Sequence, residues 1–451
     1  HQEILMDRLE ELQAYSKGWM DITQADPTNV KALEAEAARF GVAPVQYRFR
    51  NENVSELKKV YMGLALVYGD KQESLPAITQ VDTLEYELSR AIRSLLSDGP
   101  KPVIGLSTGH GEPDIIGGGG PLATLSSRLS ETHDLRSVSL AGDQGVPDDV
   151  DALWVVGPQK TLSALALYHL DQFLMRGGAL GIFATNTRAD MRAMVPQNVY
   201  HGMDGFLGHF GVLLRRDLIV DRVRNGLMGF PVRQGRTVRE VQLNYPLIPK
   251  ATELDGDTPV LRGIDALLAP FVSSLELADP LPPGVQSEVW ARTSPASGRI
   301  QGIRTIDPQA YQVLSPGEET GSWPFLVALS GRWSSYFTGK DAPPPSQPGS
   351  HAAPRLRESA PARLVAAGSA DFVANNIPFM LNLADWMVQD EALIGIRAKN
   401  IGVPELRPIP EDRKGLLKLA NLLGGVLFVL VAGLLRKAWL LGRSKRIGEA
   451  G

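Results

Sequence analysis

The stretch from Ala152 to Thr185, ALWVVGPQKTLSALALYHLDQFLMRGGALGIFAT, limits what this chain can fold into more than any other. Leu153 to Val156 is a short apolar run that stops at Gly157-Pro158, the pattern of a buried strand and turn. Ser163 is placed to cap a helix. Leu162, Leu165, Ala166, Leu170, Phe173 and Leu174 then recur at helical spacing. Arg176 falls in the last turn, and Gly177-Gly178 offers the left-handed stop. Ala179 to Ala184 is a second apolar run. Strand, helix and strand within so short a span make a βαβ crossover, which forces two parallel strands and a right-handed connection. An α/β sheet places its chemistry in the loops at the carboxyl ends of such strands. Here those loops carry Gln159, Asn186, Thr187 and Arg188.

A chain of 451 residues has room for two or three domains, and 43% hydrophobic against 21% charged residues supplies ample core. A formal net charge of −4 gives no basis for nucleic-acid binding. There is no cysteine, so thiol catalysis, cysteine–zinc sites and disulfides are all excluded. The seven histidines include no close pair at metal-ligand spacing, and no metal or cofactor is expected. The absence of cysteine fits an extracytoplasmic location. The chain begins at His1 without a signal peptide, which suggests a missing N-terminal stretch with a membrane segment of its own.

Residues 416–435, LLKLANLLGGVLFVLVAGLL, read as a membrane-spanning helix. The uncharged part, Leu419 to Leu435, is at the short end for a span, and Lys418 can snorkel to lengthen it. Gly424, Gly425 and Gly433 suit close packing on another membrane helix. The basic tail 436–451 follows, with Arg436, Lys437, Arg443, Lys445 and Arg446. By the positive-inside rule the tail is cytoplasmic and everything before the helix lies outside.

Residues 1–98 read as a small α/β domain, with a helix from about Pro27 to Phe40, a strand over Val45 to Arg50 and a hairpin about Gly69-Asp70. A larger domain, 101–400, opens with the strand Val103 to Leu106 and runs into Ser107-Thr108-Gly109-His110-Gly111-Glu112-Pro113. Glycines there let backbone approach a ligand, and His110 suits a general base with Glu112 its partner or a metal ligand; the alternative is that Gly109 and Gly111 serve a tight turn and His110 only bonds backbone. Gly117 to Gly120 is no Walker loop, because no Gly-Lys-Ser/Thr follows. Residues 222–340 read as a β-rich insertion. Phe325 to Ser330 and Trp333 to Phe337 read as a strand and its partner. The proline-rich 341–361 reads as a disordered loop and 401–415 as a juxtamembrane linker. After a strand at Leu364 to Ala367, Ser369 and Asp371 precede a helix over Phe379 to Val388. A hydrolytic Ser369, His110 and Asp371 can be drawn, but Ser369 lacks the Gly-x-Ser-x-Gly elbow, and such residues more often cap a helix.

Several stretches together resemble one family: LEYELSRAIRSLL, the GHGEP loop, VVGP with LDQFLMRGG, PVLRGIDALLAPFVSSLE, RTSPAS, ALSGRWSSYFTGK, and GSADFVANN with NLADWMVQDEALIGIRAK. In order and spacing they are similar to the GldG-like auxiliary subunits of ABC transport systems, named from bacterial gliding motility. The resemblance implies an extracytoplasmic α/β region related to flavodoxin-like and class I glutamine amidotransferase-like sheets. It also implies an inner-membrane anchor and, as partners, a permease and a cytoplasmic ATPase. It carries no catalytic residues over to this chain, and the amidotransferase cysteine has no counterpart here. Without a Walker motif, ATP hydrolysis belongs to another polypeptide.

The expected function is therefore a non-catalytic, membrane-anchored transporter accessory. Its ligand edge would be His110, Glu112, Gln159, Asn186, Arg188, Ser369 and Asp371, facing an envelope protein or a polysaccharide; Arg188 suits an anionic or sugar-like ligand. A membrane-anchored hydrolase or ligand-binding protein using the same edge, and a structural envelope scaffold, are the competing readings.

Overall fold

The Ala152–Thr185 crossover forms as its sequence requires. In the computed structural model, strand β7 spans Ala152–Val156, helix α4 Ala164–Met175 and strand β8 Ala179–Phe183. The Ser163 side chain caps α4 by accepting from the Ala166 N–H at 3.1 Å. Gly177 adopts φ 96°, and a Cβ on Gly178 would sit 2.5 Å from the Phe173 ring. Both glycines are thus needed to turn the helix back onto the sheet. The structure describes residues 2–388, leaving out 29, 52–53, 79–86, parts of 89–99, 235–236, 257, 312–317 and 345–354.

β7 and β8 are the centre of a seven-stranded sheet. Strand β5 (Val103–Thr108) lies beside β7, and β6 (Asp134–Ser139) beside β5, all parallel. On the other side β21 (Ala362–Ala367) runs parallel to β8. Numbered by appearance, these parallel strands stand in the order 2-1-3-4-5. Two antiparallel strands, β20 (Pro324–Gly331) and β17 (Val285–Arg292), complete the sheet beyond β21. They come from the stretch read as an insertion. The partners of β20 are β17 and β21, not Trp333 to Phe337, which forms turns with one isolated bridge between Ser334 and Glu358.

Every residue of β7 and β8 is buried. Alternate positions face two separate cores, as the period of a strand demands. Ile104, Trp154, Val156, Phe183 and Val365 face one side, with Leu125 and Leu129 of α3 (Pro121–Ser130) and Phe379 and Leu383 of α7 (Ile377–Met387). Leu153, Val155, Leu180, Ile182 and Leu364 face the other, with Leu170 and Phe173 of α4 and Phe206 and Phe210 of α5 (Asp204–His209). The result is a three-layer α/β arrangement about a sheet whose larger part is parallel.

The remainder of the central region is antiparallel. Strands β9 (Thr187–Asp190) and β10 (Val195–Asn198) form a hairpin directly after β8. Strands β13 (Asn225–Gln234) and β14 (Thr237–Ala251) make one long hairpin within the stretch read as a β-rich insertion. Pro231 sits in β13, which among the described residues is paired only with β14, so its missing N–H interrupts no second described ladder. Among its described residues the N-terminal stretch includes the helices Gln2–Tyr15 and Lys31–Arg39 and the hairpins Pro44–Asn51 with Val54–Tyr61 and Leu64–Tyr68 with Lys71–Leu75. Leu9, Leu75, Ile78 and Leu88 give it a small core of its own. The candidate membrane helix with Gly424, Gly425 and Gly433, its basic tail and the linker lie outside the described residues. No described helix is long and apolar enough to cross a membrane.

Candidate functional site

The loops after β5, β7, β8 and β21 all emerge at the carboxyl edge of the sheet. The β5 loop is shaped by two glycines in the left-handed region, Gly109 at φ 110° and Gly111 at φ 84°. They fold the chain back so that Glu112 reaches under its own loop. One Glu112 carboxylate oxygen accepts the His110 N–H at 2.6 Å, and the other accepts the Ser107 hydroxyl at 3.1 Å. The His110 ring nitrogen Nδ1 lies 3.8 Å from Glu112, beyond hydrogen-bond reach, and is buried without a hydrogen-bond partner. Glu112 thus organises the loop's backbone, and the base-and-partner reading of the pair finds no hydrogen bond to carry it.

The β7 loop docks on this turn. The backbone N–H groups of Gln159 and Lys160 both donate to the His110 carbonyl at 2.9 Å. A Cβ on Gly111 would lie 3.2 Å from the Gln159 Cβ, so the two loops touch at backbone distance. The Gln159 side-chain carbonyl in turn accepts from the Arg188 guanidinium at 3.0 Å. Arg188 lies in β9, whose hairpin overhangs the edge. Burial of the carboxyl pushes the Asp371 pKa upward, and the Arg188 guanidinium opposes that push without cancelling it. His110, Glu112, Gln159, Arg188 and Asp371 are therefore brought to one rim, with Gln159, Arg188 and Asp371 open to solvent.

The other two residues face inward. Ser369 is buried and donates its hydroxyl to the Pro270 carbonyl at 2.6 Å. That bond holds the β21 loop to the segment before β16 (Leu275–Leu277) and removes the hydroxyl from a nucleophile's role. Asp371 stands at the start of the short helix Phe372–Asn375 but makes no side-chain cap, so neither residue caps. Asn186 is buried, and its amide donates to the Arg215 carbonyl at 3.1 Å, with its own carbonyl oxygen unpartnered.

Asn186 borders a cavity of ≈ 210 Å³ whose wall also carries Thr187, Asn198, Tyr200, Arg216 and Asp217. Arg216 lies over the Tyr200 ring at 5.2 Å and is paired with Asp204 at 2.7 Å. Asp217 is buried and accepts from the Ser274 N–H and hydroxyl, at 2.8 and 2.6 Å, while burial pushes its carboxyl upward. A larger cavity, ≈ 470 Å³, opens at the opposite, amino-terminal edge, beside Asp151, Gly177 and Arg363. Sequence reasoning did not reach Tyr200, Arg216 or Asp217. The available signal was the polar run Arg215-Arg216-Asp217 between two strand-like stretches. Among the described residues no group of three or more His, Cys, Asp or Glu stands together as metal ligands.

A family model described as "ABC-type uncharacterized transport system" matches residues 101–393. The chain belongs to that family. It is an auxiliary component of an ABC transport system, and the matched range contains the whole seven-stranded sheet and its rim. An uncharacterized protein of Borreliella burgdorferi is 22% identical over 396 residues, covering 80% of this chain and 69% of its own length. Among solved structures, the mmIFT52 N-terminal domain matches at TM-score 0.35 and 14% identity, over 63% of this chain and 96% of its own. The exo-beta-1,4-mannosidase Op5Man5 from Opitutaceae bacterium strain TAV5 matches at TM-score 0.24 and 13% identity, over 69% of this chain and 38% of its own.

Proposed function

We propose that the protein is a non-catalytic, GldG-like subunit of a bacterial ABC transporter, anchored in the inner membrane by residues 416–435. The sheet and its rim then stand outside the membrane, with the basic tail 436–451 in the cytoplasm. A permease is its membrane partner, and a separate ATPase supplies the energy, because the chain has no Gly-x-x-x-x-Gly-Lys-Ser/Thr loop. The observation that carries this reading is the family match over residues 101–393. The parallel order 2-1-3-4-5 supports a flavodoxin-like description of the sheet, since that is the order of doubly wound sheets of that type.

On this reading the rim of His110, Gln159, Arg188 and Asp371 is where an envelope protein or polysaccharide meets the subunit. Transport coupling requires the subunit to favour one state of the permease over the other, and a ligand at the rim can shift that preference only through unequal affinity for the two states. The test is mild-detergent purification of the full-length protein from its native membrane, with mass spectrometry of what accompanies it. An ABC ATPase and a permease in stoichiometric amounts are expected. Recovery of the protein alone, under conditions in which a reference ABC complex stays whole, refutes the proposal.

A further inference from the structure

One buried histidine lies beside the segment that fastens the β7 loop of the rim. His201 is 1% exposed and lies in the segment between β10 and α5. Its Nδ1 accepts the N–H of Met203, the residue that opens α5, at 3.1 Å. The ring is therefore neutral, with its proton on Nε2, and Nε2 is buried without a partner. The backbone on either side of His201 is fastened to the β7 loop. Its carbonyl accepts from the Leu162 N–H at 3.0 Å, and the Tyr200 carbonyl accepts from the Thr161 hydroxyl at 2.7 Å. A Cβ on Gly202 would meet the Thr161 methyl at 2.9 Å, so the two segments are in close contact there as well. Thr161 and Leu162 directly follow Gln159 and Lys160, which hold the His110 turn and Arg188.

We propose that His201 is an acid-operated latch on this rim. When a proton binds Nδ1, both ring nitrogens become donors, and an N–H then faces the Met203 N–H where an acceptor stood. The bond cannot survive without rotation of the ring or movement of the α5 start. Either motion loosens residues 199–204 from Thr161 and Leu162, and with them the Gln159 side of the rim. Two charged groups face the ring, Asp204 of α5, which favours its protonation, and Arg216, which opposes it. Burial opposes it more strongly than either, so the latch holds at neutral pH and opens only in acid. The proposal concerns the rim of the domain itself and stands whether or not the transporter complex assembles.

Hydrogen–deuterium exchange of the full-length chain in detergent, at pH 7.5 and at pH 5.0, tests it, with rates corrected for the intrinsic pH dependence of exchange. Peptides covering 159–163 and 199–206 are expected to lose protection by about tenfold or more at pH 5.0. Peptides within β7 and β8 are expected to keep theirs. His201→Asn, whose amide oxygen can take the Met203 N–H and does not titrate, is expected to hold protection level between the two pH values. Unchanged protection in the wild type at pH 5.0 overturns the proposal. So does an equal loss in His201→Asn, which would assign the effect to another group, with His169 the first to test. If His201→Asn loses protection throughout the chain, the wild-type map decides alone: a loss confined to the two segments supports the latch, and one spread over the sheet refutes it.

Discussion

Asp171 offers a test of how the two sides of this fold are joined. It lies on α4, and its side chain is fully buried. Its carboxylate accepts the Ser335 hydroxyl and the Tyr336 N–H, each at 2.7 Å, and the Gln172 amide at 2.8 Å. These bonds hold the turn after β20 against α4. Hydrogen bonds to a charged group contribute about 1.5–3 kcal/mol each, and a buried N–H left without a partner costs about 1–3 kcal/mol. Asp171→Ala leaves the Tyr336 N–H with no acceptor, and the Ser335 hydroxyl must find another. The expected loss is about 4 kcal/mol. Asp171→Asn keeps one oxygen for the Tyr336 N–H and is expected to cost about 1–2 kcal/mol. Against an m value of about 3 kcal/mol per molar urea, the alanine variant should unfold about 1.3 M earlier. The assay is urea unfolding followed by far-UV circular dichroism, with the m value checked for constancy. A shift below about 0.3 M for alanine, or equal shifts for the two variants, refutes the view that this carboxylate is the clamp.

Two further outcomes follow from the packing. Burial lowers the pKa of both His169 and His201 below the ordinary histidine value. As pH falls below about 6.5, the unfolded chain takes up these protons first, so stability should decline through the window down to the lowered values and then level. The urea midpoint of the wild type should therefore fall relative to that of His169→Gln as pH drops through that window, and a difference between the two that does not change with pH would contradict the burial of that ring. Gly368 has its Cβ position 2.0 Å from the Ser273 carbonyl oxygen, where the backbones of the β21 loop and the 273 segment cross. Gly368→Ala should destabilise by at least about 2 kcal/mol, because backbone on both sides must move, and a variant as stable as wild type would show that the two backbones do not meet at that distance.

The order of elements about the central crossover was legible from sequence because local rules suffice there. The apolar runs of β7 and β8 need no alternation, being buried on both faces, and Ser163 and Gly177-Gly178 mark the ends of α4 by cap chemistry alone. The rim was legible in part. Strand ends predict which loops meet at the carboxyl edge, and so placed His110, Gln159, Arg188 and Asp371 together. They do not predict where a side chain points. Ser369 turned to a carbonyl ninety-nine residues earlier in the chain, and Glu112 to the backbone of its own loop.

By itself, the sequence determined that the chain has a parallel α/β centre, that these 451 residues hold no cysteine and no Walker loop, and which loops carry polar groups. These follow from residue type and short-range periodicity. Tertiary structure decided that β17 and β20 close the sheet, that β13 and β14 form one long hairpin despite their glycines and prolines, and that Asn186 borders a cavity beside Arg216 and Asp217. Strand pairing between distant segments depends on which apolar faces find each other, and the direction of a buried polar side chain depends on which backbone group arrives unpaired beside it. Neither is encoded within the few residues on either side.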